Sequence, residues 1–350
     1  MPEATTKPTA HRTAIAAAAA AAAAGVVAAA AVQRRHLQAL ARDEQFAELT
    51  APLGGSPFRV TSADGTSLHA EAFGDENGPV VVFAHGWTEQ LSFWGPVIRQ
   101  LEHRGLRLIA YDLRGHGRSA PAADGDYALE RFGEDVQAVL QAVVPGDRAT
   151  VVGHSLGAMS IAAWAAHHDS IDRGRAAALV NTGLGDLLAG HLLLGELAKF
   201  LNHPWASRMV MSARLRVPPF STPLQQALIR YVAFGPEATP GQIAFYERML
   251  IECPADVRAA CGVALSDMDL WHAVERLTIP TLVIAGERDR LTPPAHARRI
   301  AGELPMPVGL IELPDTGHMS PLERPRELSD ALAALALGDS PARSVPVAQL

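Results

Sequence analysis

The fold of this chain is decided by the stretch Ala149-Thr150-Val151-Val152-Gly153-His154-Ser155-Leu156-Gly157. A short run typical of a buried strand, Ala149 to Val152, leads directly into a turn, and a helical stretch follows. A strand that turns this sharply into a helix strains the backbone of its central residue, and glycines two residues to either side remove side chains that would collide. We therefore predict that Ser155 is a nucleophile at the carboxyl edge of a sheet, above a helix N-terminus whose dipole favours negative charge. The alternative is a purely structural turn.

From Pro57 onward, short β-rich runs alternate with helical stretches, which predicts βα units around a mostly parallel sheet. Asp64-Gly65 predicts a hairpin turn between two of these runs. The predicted fold class is α/β, with a mostly parallel central sheet flanked by helices. The predicted strands are Phe58 to Thr61, Leu68 to Phe73, Val80 to Ala84, Leu106 to Tyr111, Ala149 to Val152, Ala177 to Val180, Thr281 to Ile284 and Gly309 to Leu313, and the predicted helices are near Ser92 to Glu102, Ala128 to Val143 and Ser155 to His167.

Residues 186–276 interrupt this alternation and contain no convincing strand. Within them, Thr222 and Thr239 each precede a proline and are followed three residues later by glutamine, the pattern of a capped helix start. We expect a helical insertion whose apolar residues pack on the sheet and line a cleft, although each could instead belong to the insertion's own core. The predicted organisation is an N-terminal extension over 1–56, a core over 57–185 and 277–338, the insertion, and a disordered tail over 339–350.

A serine hydroxyl is a weak nucleophile until a base takes its proton, so a histidine and a carboxylate are needed later in the chain. Asp289 follows one predicted strand and His318 follows the last one. Asp289 would hold the tautomer of His318, which would act as general base and then as general acid. Glu287 is the alternative acid, but Asp289 lies further out on its loop. Ser320-Pro321-Leu322-Glu323 predicts a capping box that fixes the loop carrying His318.

The negative oxygen that forms when a serine attacks a carbonyl needs preorganised backbone donors, each contributing about 3 kcal/mol. One predicted donor is the amide of Leu156, directly after the nucleophile. The other is the amide of Trp87, in the turn His85-Gly86-Trp87 after a predicted strand.

Four motifs in this order resemble the α/β-hydrolase superfamily, in particular its capped members, from about Pro57 to Leu337. The resemblance implies that residues 186–276 form a cap over the active site. It leaves the substrate open, because the superfamily hosts many activities; epoxide hydrolases and dehalogenases are less similar, since they carry aspartate where this chain has Ser155. The motifs are His85-Gly86-Trp87, Tyr111-Asp112-Leu113-Arg114-Gly115-His116-Gly117-Arg118-Ser119, Gly153-His154-Ser155-Leu156-Gly157, and Asp289 paired with Gly317-His318.

The expected activity is hydrolysis of a carboxylic ester with a moderately apolar acyl group, through an acyl-enzyme. The alternatives are a cofactor-free peroxidase, a perhydrolase or an acyltransferase with the same triad, and a non-catalytic binding protein that keeps the fold. We predict no cofactor and no metal, because adjacent helical residues such as His167 and His168 point in different directions. His116 and Asp112 are expected to hold a loop, whereas Trp87 and Trp94 could bound an acyl pocket or pack in the core.

Composition excludes several classes of protein. The 350 residues carry a net charge of −7, with 48% hydrophobic and 19% charged residues, so a packed core is expected and a nucleic-acid partner is not. The only cysteines are Cys253 and Cys261, and a disulfide framework is therefore excluded.

The apolar stretch Ala14 to Val32 is as long as a membrane-spanning helix requires, although alanine is nearly neutral in transfer to lipid. Three interpretations are open: an uncleaved membrane anchor, a cleaved signal peptide and a soluble extension. We expect a membrane-associated or exported protein, with the cytoplasm as the alternative. The sequence gives no expectation for the oligomeric state.

Overall fold

The computed structural model describes the backbone of residues 8–185, 212 and 217–339, with side chains from residue 22 onward within those ranges. Its strands form one eight-stranded sheet in the order β1-β2-β4-β3-β5-β6-β7-β8. β1 and β2 form an antiparallel hairpin, β2 pairs antiparallel with β4, and all other pairs are parallel. The strands are β1 Ser56–Thr61, β2 Ser67–Gly74, β3 Val80–Ala84, β4 Arg107–Tyr111, β5 Ala149–His154, β6 Gly174–Val180, β7 Thr281–Gly286 and β8 Pro307–Leu313.

The predicted α/β class is confirmed, and the burial of the strands gives its physical reason. Every residue of β5 and of β7 is buried, because helices cover both faces of a parallel sheet and leave no polar side. The edge strand β1 is largely exposed. Continuous apolar runs were therefore the correct signal for the central strands.

Helices pack on both faces of the sheet. One core cluster contains side chains of α4, α5 and α11, and a second, on the other face, contains side chains of α3 and α13. The helices are α1 Pro8–Leu40, α2 Glu44–Thr50, α3 Gly95–Leu101, α4 Leu129–Val143, α5 Leu156–His167, α6 Ser170–Arg173, α7 Pro223–Ala233, α8 Pro240–Glu252, α9 Ala255–Ser266, α10 Trp271–Val274, α11 Pro294–Glu303, α12 Ser320–Glu323 and α13 Pro325–Leu337, with a 3₁₀ turn over Leu91–Trp94.

Between β6 and β7 the described residues form the helices α7 to α10. The Oγ1 of Thr222 accepts from the amide of Gln225 at 3.1 Å, which caps α7. At Thr239 the capping box is complete, since its Oγ1 accepts from the amide of Gln242 at 3.2 Å and its own amide donates to Oε1 of Gln242 at 2.9 Å. The predicted helical character is thus found over 217–276. The rest of the predicted insertion, and the tail beyond residue 339, lie outside the described residues.

The apolar stretch Ala14 to Val32 lies within α1, which continues to Leu40. Over the described part of the chain, no helix combines the length and the apolar character needed to cross a membrane, so the predicted membrane anchor is unsupported. The C-terminal part of α1 contacts the loop before α7, where Nε2 of Gln33 donates to the main-chain oxygen of Ser221 at 2.5 Å and Nε2 of His36 lies 2.8 Å from its Oγ.

Candidate active site

Ser155 occupies the sharp turn between β5 and α5. Its backbone has φ 49° and ψ −115°, a conformation that costs a residue with a side chain of the order of 1–3 kcal/mol. A Cβ at Gly153 would lie 2.4 Å from the amide nitrogen of Ala158, and one at Gly157 would lie 2.2 Å from the main-chain oxygen of Ala84. Only glycine fits at these two positions, as the sequence pattern predicts.

Asp289 and His318 form a buried pair at the carboxyl ends of β7 and β8. The Nδ1 of His318 lies 2.8 Å from Oδ2 of Asp289. The same oxygen accepts from Oγ1 of Thr292 at 2.8 Å and from Nδ2 of Asn181 at 2.9 Å, while Oδ1 accepts from the amides of Leu291 at 2.8 Å and Thr292 at 2.9 Å. Burial by itself would raise the pKa of Asp289, but the facing imidazole and these hydrogen bonds outweigh it and lower the pKa. The carboxylate is therefore ionised at neutral pH.

The competing acid, Glu287, is exposed, and its Oε2 accepts from the amide of Asp315 at 3.3 Å. Asp289 is thus the carboxylate that faces His318. Asp289 lies further along the loop after β7, whereas Glu287 directly follows the strand.

The main chain of the His318 loop is held by a second, partly buried carboxylate. Glu323 accepts from the amide of Gly317 at 3.0 Å and from the amide of Gly235 at 2.8 Å. Burial raises the pKa of Glu323 to about 7, although both amides act in the opposite direction. Glu323 therefore connects the His318 loop to the end of α7.

The capping box predicted over Ser320 to Glu323 is wrong. Ser320 is the first residue of α12, and Met319 precedes it as an N-cap without a side-chain hydrogen bond. The Oγ of Ser320 donates instead to Oδ1 of Asn181. Ser320 bonds to Asn181 and Glu323 bonds to Gly235, both distant in sequence. These contacts replace the two reciprocal hydrogen bonds of a capping box.

Ser155 and His318 line one cavity of about 360 Å³. No hydrogen bond joins the Oγ of Ser155 to the Nε2 of His318 in this structure, and such contacts are often loose before substrate binds. Most of the remaining lining is apolar and comes from α5, α7, α8 and α9. The residues at the cavity wall include Trp87, Met159, Leu228, Ile229, Val232, Tyr246, Leu250, Leu265, Leu291 and Met319.

The two predicted backbone donors lie at the same sheet edge. Leu156 begins α5 directly after the serine, and Trp87 follows β3 with its side chain at the cavity wall. Within the described residues neither amide donates to another protein group, whereas the neighbouring amide of Gly86 binds Glu89 and that of Thr88 binds Nε2 of His116 at 3.3 Å. The Leu156 and Trp87 amides are therefore free to bind a ligand.

Three other candidates, His116, Asp112 and Trp94, have structural roles in the fold. His116 is buried with its Nδ1 2.9 Å from the main-chain oxygen of Arg114, and burial lowers its pKa to about 4. Asp112 accepts from the amides of Leu91 at 2.6 Å and Arg118 at 2.9 Å, so it holds the loops on either side. Trp94 is fully buried in the core. The structure thus separates Trp87, at the cavity, from Trp94.

Sequence reasoning missed several polar residues of the site. Asn181 follows β6 in a left-handed conformation, with φ 46°, and its Nδ2 donates to the carboxylate of Asp289. Glu89 lies at the cavity wall and pairs with His154. A polar residue at the carboxyl end of a parallel strand was the available signal for Asn181. No local pattern pairs residues 89 and 154.

Among the described residues, no group of three histidine, cysteine, aspartate or glutamate side chains is arranged to hold a metal ion. Both cysteines are buried and free.

Comparison with known proteins gives consistent matches. A family model described as the alpha/beta hydrolase fold matches residues 79–325. The chain is similar to 3-oxoadipate enol-lactonase 2 from Acinetobacter baylyi, with 26% identity over 78% of this chain and 94% of the relative. It is also similar to a bifunctional esterase/perhydrolase from Acinetobacter calcoaceticus, with 25% identity over 79% of this chain and 98% of that protein. Among solved structures, the enol-lactonase from Burkholderia xenovorans LB400 is 26% identical over 80% of this chain and 100% of its own, with a TM-score of 0.64.

Proposed function

The chain belongs to the alpha/beta hydrolase fold family, and from this premise we propose that it is a serine hydrolase that cleaves carboxylic esters through an acyl-enzyme. The observation that carries the proposal is one cavity that collects a strained serine and a buried, carboxylate-bound histidine. These are the groups that acyl transfer needs: a nucleophile, a base, and a third group that orients the base.

In the proposed mechanism, Oγ of Ser155 attacks the ester carbonyl carbon while its proton passes to Nε2 of His318. Asp289 keeps the other ring nitrogen of His318 protonated and stabilises the imidazolium. The negative oxygen of the tetrahedral intermediate accepts from the amides of Leu156 and Trp87. His318 then protonates the departing alcohol. Water, deprotonated by the same imidazole, attacks the acyl-enzyme, and the acid and the free serine are released.

The composition of the cavity supports an uncharged substrate with an apolar acyl group. Its wall is formed mainly by aliphatic and aromatic side chains, with few polar groups besides the proposed machinery. We further propose that the insertion over 186–276 acts as a cap, since the described helices α7, α8 and α9 each contribute residues to the wall. The substrate would then lie between the sheet edge and these helices.

A second candidate is perhydrolysis, in which peroxide replaces water at the acyl-enzyme. It is favoured by the similarity to a protein described as a bifunctional esterase/perhydrolase. Peracid formation from acetate and peroxide at a rate above ester hydrolysis would support this candidate over the esterase.

The proposal is tested with a fluorophosphonate probe and a series of p-nitrophenyl esters of increasing acyl length. We expect one probe molecule bound per chain at Ser155, and ester turnover that is highest for an acyl chain of intermediate length. Ser155→Ala should abolish labelling and keep the fold, as measured by circular dichroism. Folded wild-type protein that neither reacts with the probe nor turns over any ester would refute the proposal.

A further inference from the structure

A second buried pair of histidine and carboxylate lies behind the cavity. The Nδ1 of His154 is 3.0 Å from Oε1 and 3.1 Å from Oε2 of Glu89, and the two side chains are 0% and 1% exposed. Glu89 comes from the turn after β3, and His154 is the last residue of β5. The mechanism proposed above uses neither residue, although Glu89 reaches the cavity wall.

The hydrogen bonds of His154 indicate its protonation state. Its Nδ1 faces the carboxylate of Glu89, and its Nε2 lies 2.9 Å from the main-chain oxygen of His318. A main-chain oxygen and an ionised carboxylate only accept hydrogen bonds, whereas a neutral imidazole has a single N–H. With Glu89 ionised, the ring therefore carries both protons. Burial alone would lower the pKa of His154, but the charge and hydrogen bond of Glu89 outweigh it and raise the pKa.

This ion pair connects three parts of the site. The carboxylate of Glu89 accepts from the amide of Gly86, the residue before the Trp87 donor. His154 adjoins the nucleophile Ser155 in sequence and binds the main chain of His318. The pair thus joins the oxyanion turn, the nucleophile turn and the histidine loop through buried hydrogen bonds.

The pair also sets the charge beside the histidine base. The rings of His154 and His318 are tilted, with centroids 4.8 Å apart. The other titratable groups acting on His154 are Asp289 and His85. The carboxylate of Glu89 compensates the charge of an imidazolium this close to His318.

We propose that Glu89 and His154 are positioning residues of this active site. They hold the Gly86–Trp87 turn and the main chain of His318 in register with Ser155, and they keep the charge next to His318 balanced. This inference rests on the proposed ester hydrolysis.

The test compares Glu89→Ala and Glu89→Gln with a matched control, Glu71→Gln. Glu71 is also a buried glutamate facing a histidine, at 3.3 Å from Nε2 of His69, but it lies on β2 outside the cavity lining. kcat and KM for an ester substrate are measured between pH 5 and 9, together with the melting temperature.

Glu89→Ala should lower kcat by about 10- to 100-fold with little change in KM, because the reacting groups lose their alignment while the apolar wall is intact. Glu89→Gln keeps an oxygen for the Gly86 amide, so it should recover part of kcat. Glu71→Gln should leave kcat unchanged.

A folded Glu89→Ala variant with kcat within twofold of the wild type would overturn the inference, as would an equal loss in Glu71→Gln. If Glu89→Ala does not fold, Glu89→Gln decides, and an unchanged kcat in that variant would overturn the inference. Failure of the esterase proposal itself is distinguishable, because it would show as a wild-type protein without turnover or probe labelling.

Discussion

Two buried histidine–carboxylate pairs lie side by side in this molecule, Asp289 with His318 and Glu89 with His154. Their Nδ1-to-carboxylate distances are similar, 2.8 Å and 3.0 Å. They differ at the other ring nitrogen. The Nε2 of His154 is bound to a main-chain oxygen, whereas His318 lines the cavity and no described group binds its Nε2. The same two residue types therefore give a fixed connection in one case and a ring nitrogen open to the cavity in the other.

The two pairs also respond to pH in opposite ways. The lowered pKa of Asp289 contributes stability that is present above the unfolded value of 3.8 and is lost as pH falls through the folded pKa. The raised pKa of His154 contributes stability that is present below 6.5 and is lost as pH rises through the folded pKa. The first pair thus favours neutral and alkaline conditions, and the second favours acidic ones.

The largest expected effect is the loss of activity when His318 is replaced. His318→Gln should lower kcat by about 10⁶-fold, because the proposed general base is lost. Glu89→Ala should lower kcat much less, by about 10- to 100-fold. Steady-state ester hydrolysis measures both losses, and circular dichroism checks the fold. A His318→Gln enzyme that retains kcat within tenfold of wild type would remove the distinction between the pairs.

The next effect concerns Asp289, the carboxylate that faces His318. Asp289→Asn should lower kcat by about 10⁴-fold, since an amide favours the wrong tautomer of His318. Glu287→Gln is the matched control, because Glu287 lies two residues earlier and is exposed; it should leave kcat unchanged. The same ester assay decides between them, and a larger loss in Glu287→Gln would reverse the assignment of the acid.

The smallest effect is on stability and concerns Glu323, which binds the main chain of the loop that carries His318. Its pKa is raised from 4.5 to about 7, so between these values the native state retains a proton that the unfolded chain releases. Stability should therefore fall as pH rises through this window. Glu323→Gln keeps an acceptor oxygen and removes the titration, so relative to wild type it should gain roughly 2–3 kcal/mol between pH 5 and pH 8.

Urea unfolding at pH 5 and pH 8 measures this gain. Glu327→Gln is the control, because Glu327 is an exposed glutamate on the next helix and its substitution should give the same difference at both pH values. An equal stability difference for Glu323→Gln at the two pH values would show that Glu323 does not titrate in this window.

The parts of the site that were predictable from sequence are those that lie in a local pattern. The glycines around Ser155 mark the turn because a Cβ at either one would collide with backbone atoms. Asp289 and His318 follow strands that end at the same sheet edge, and parallel strands bring their carboxyl ends together. The pattern at Ser320 failed for a corresponding reason, since its hydroxyl bonds to Asn181, which is distant in sequence.

The sequence by itself determined the α/β class and the serine turn, because strand burial and glycine sterics act over a few neighbouring residues. The tertiary structure decided which carboxylate faces which histidine. Glu89 and His154 are 65 positions apart, and only the packing of β3 beside β5 joins them. A buried imidazole takes its protonation and its role from the acceptors around both nitrogens, and those are supplied by separate segments of the fold.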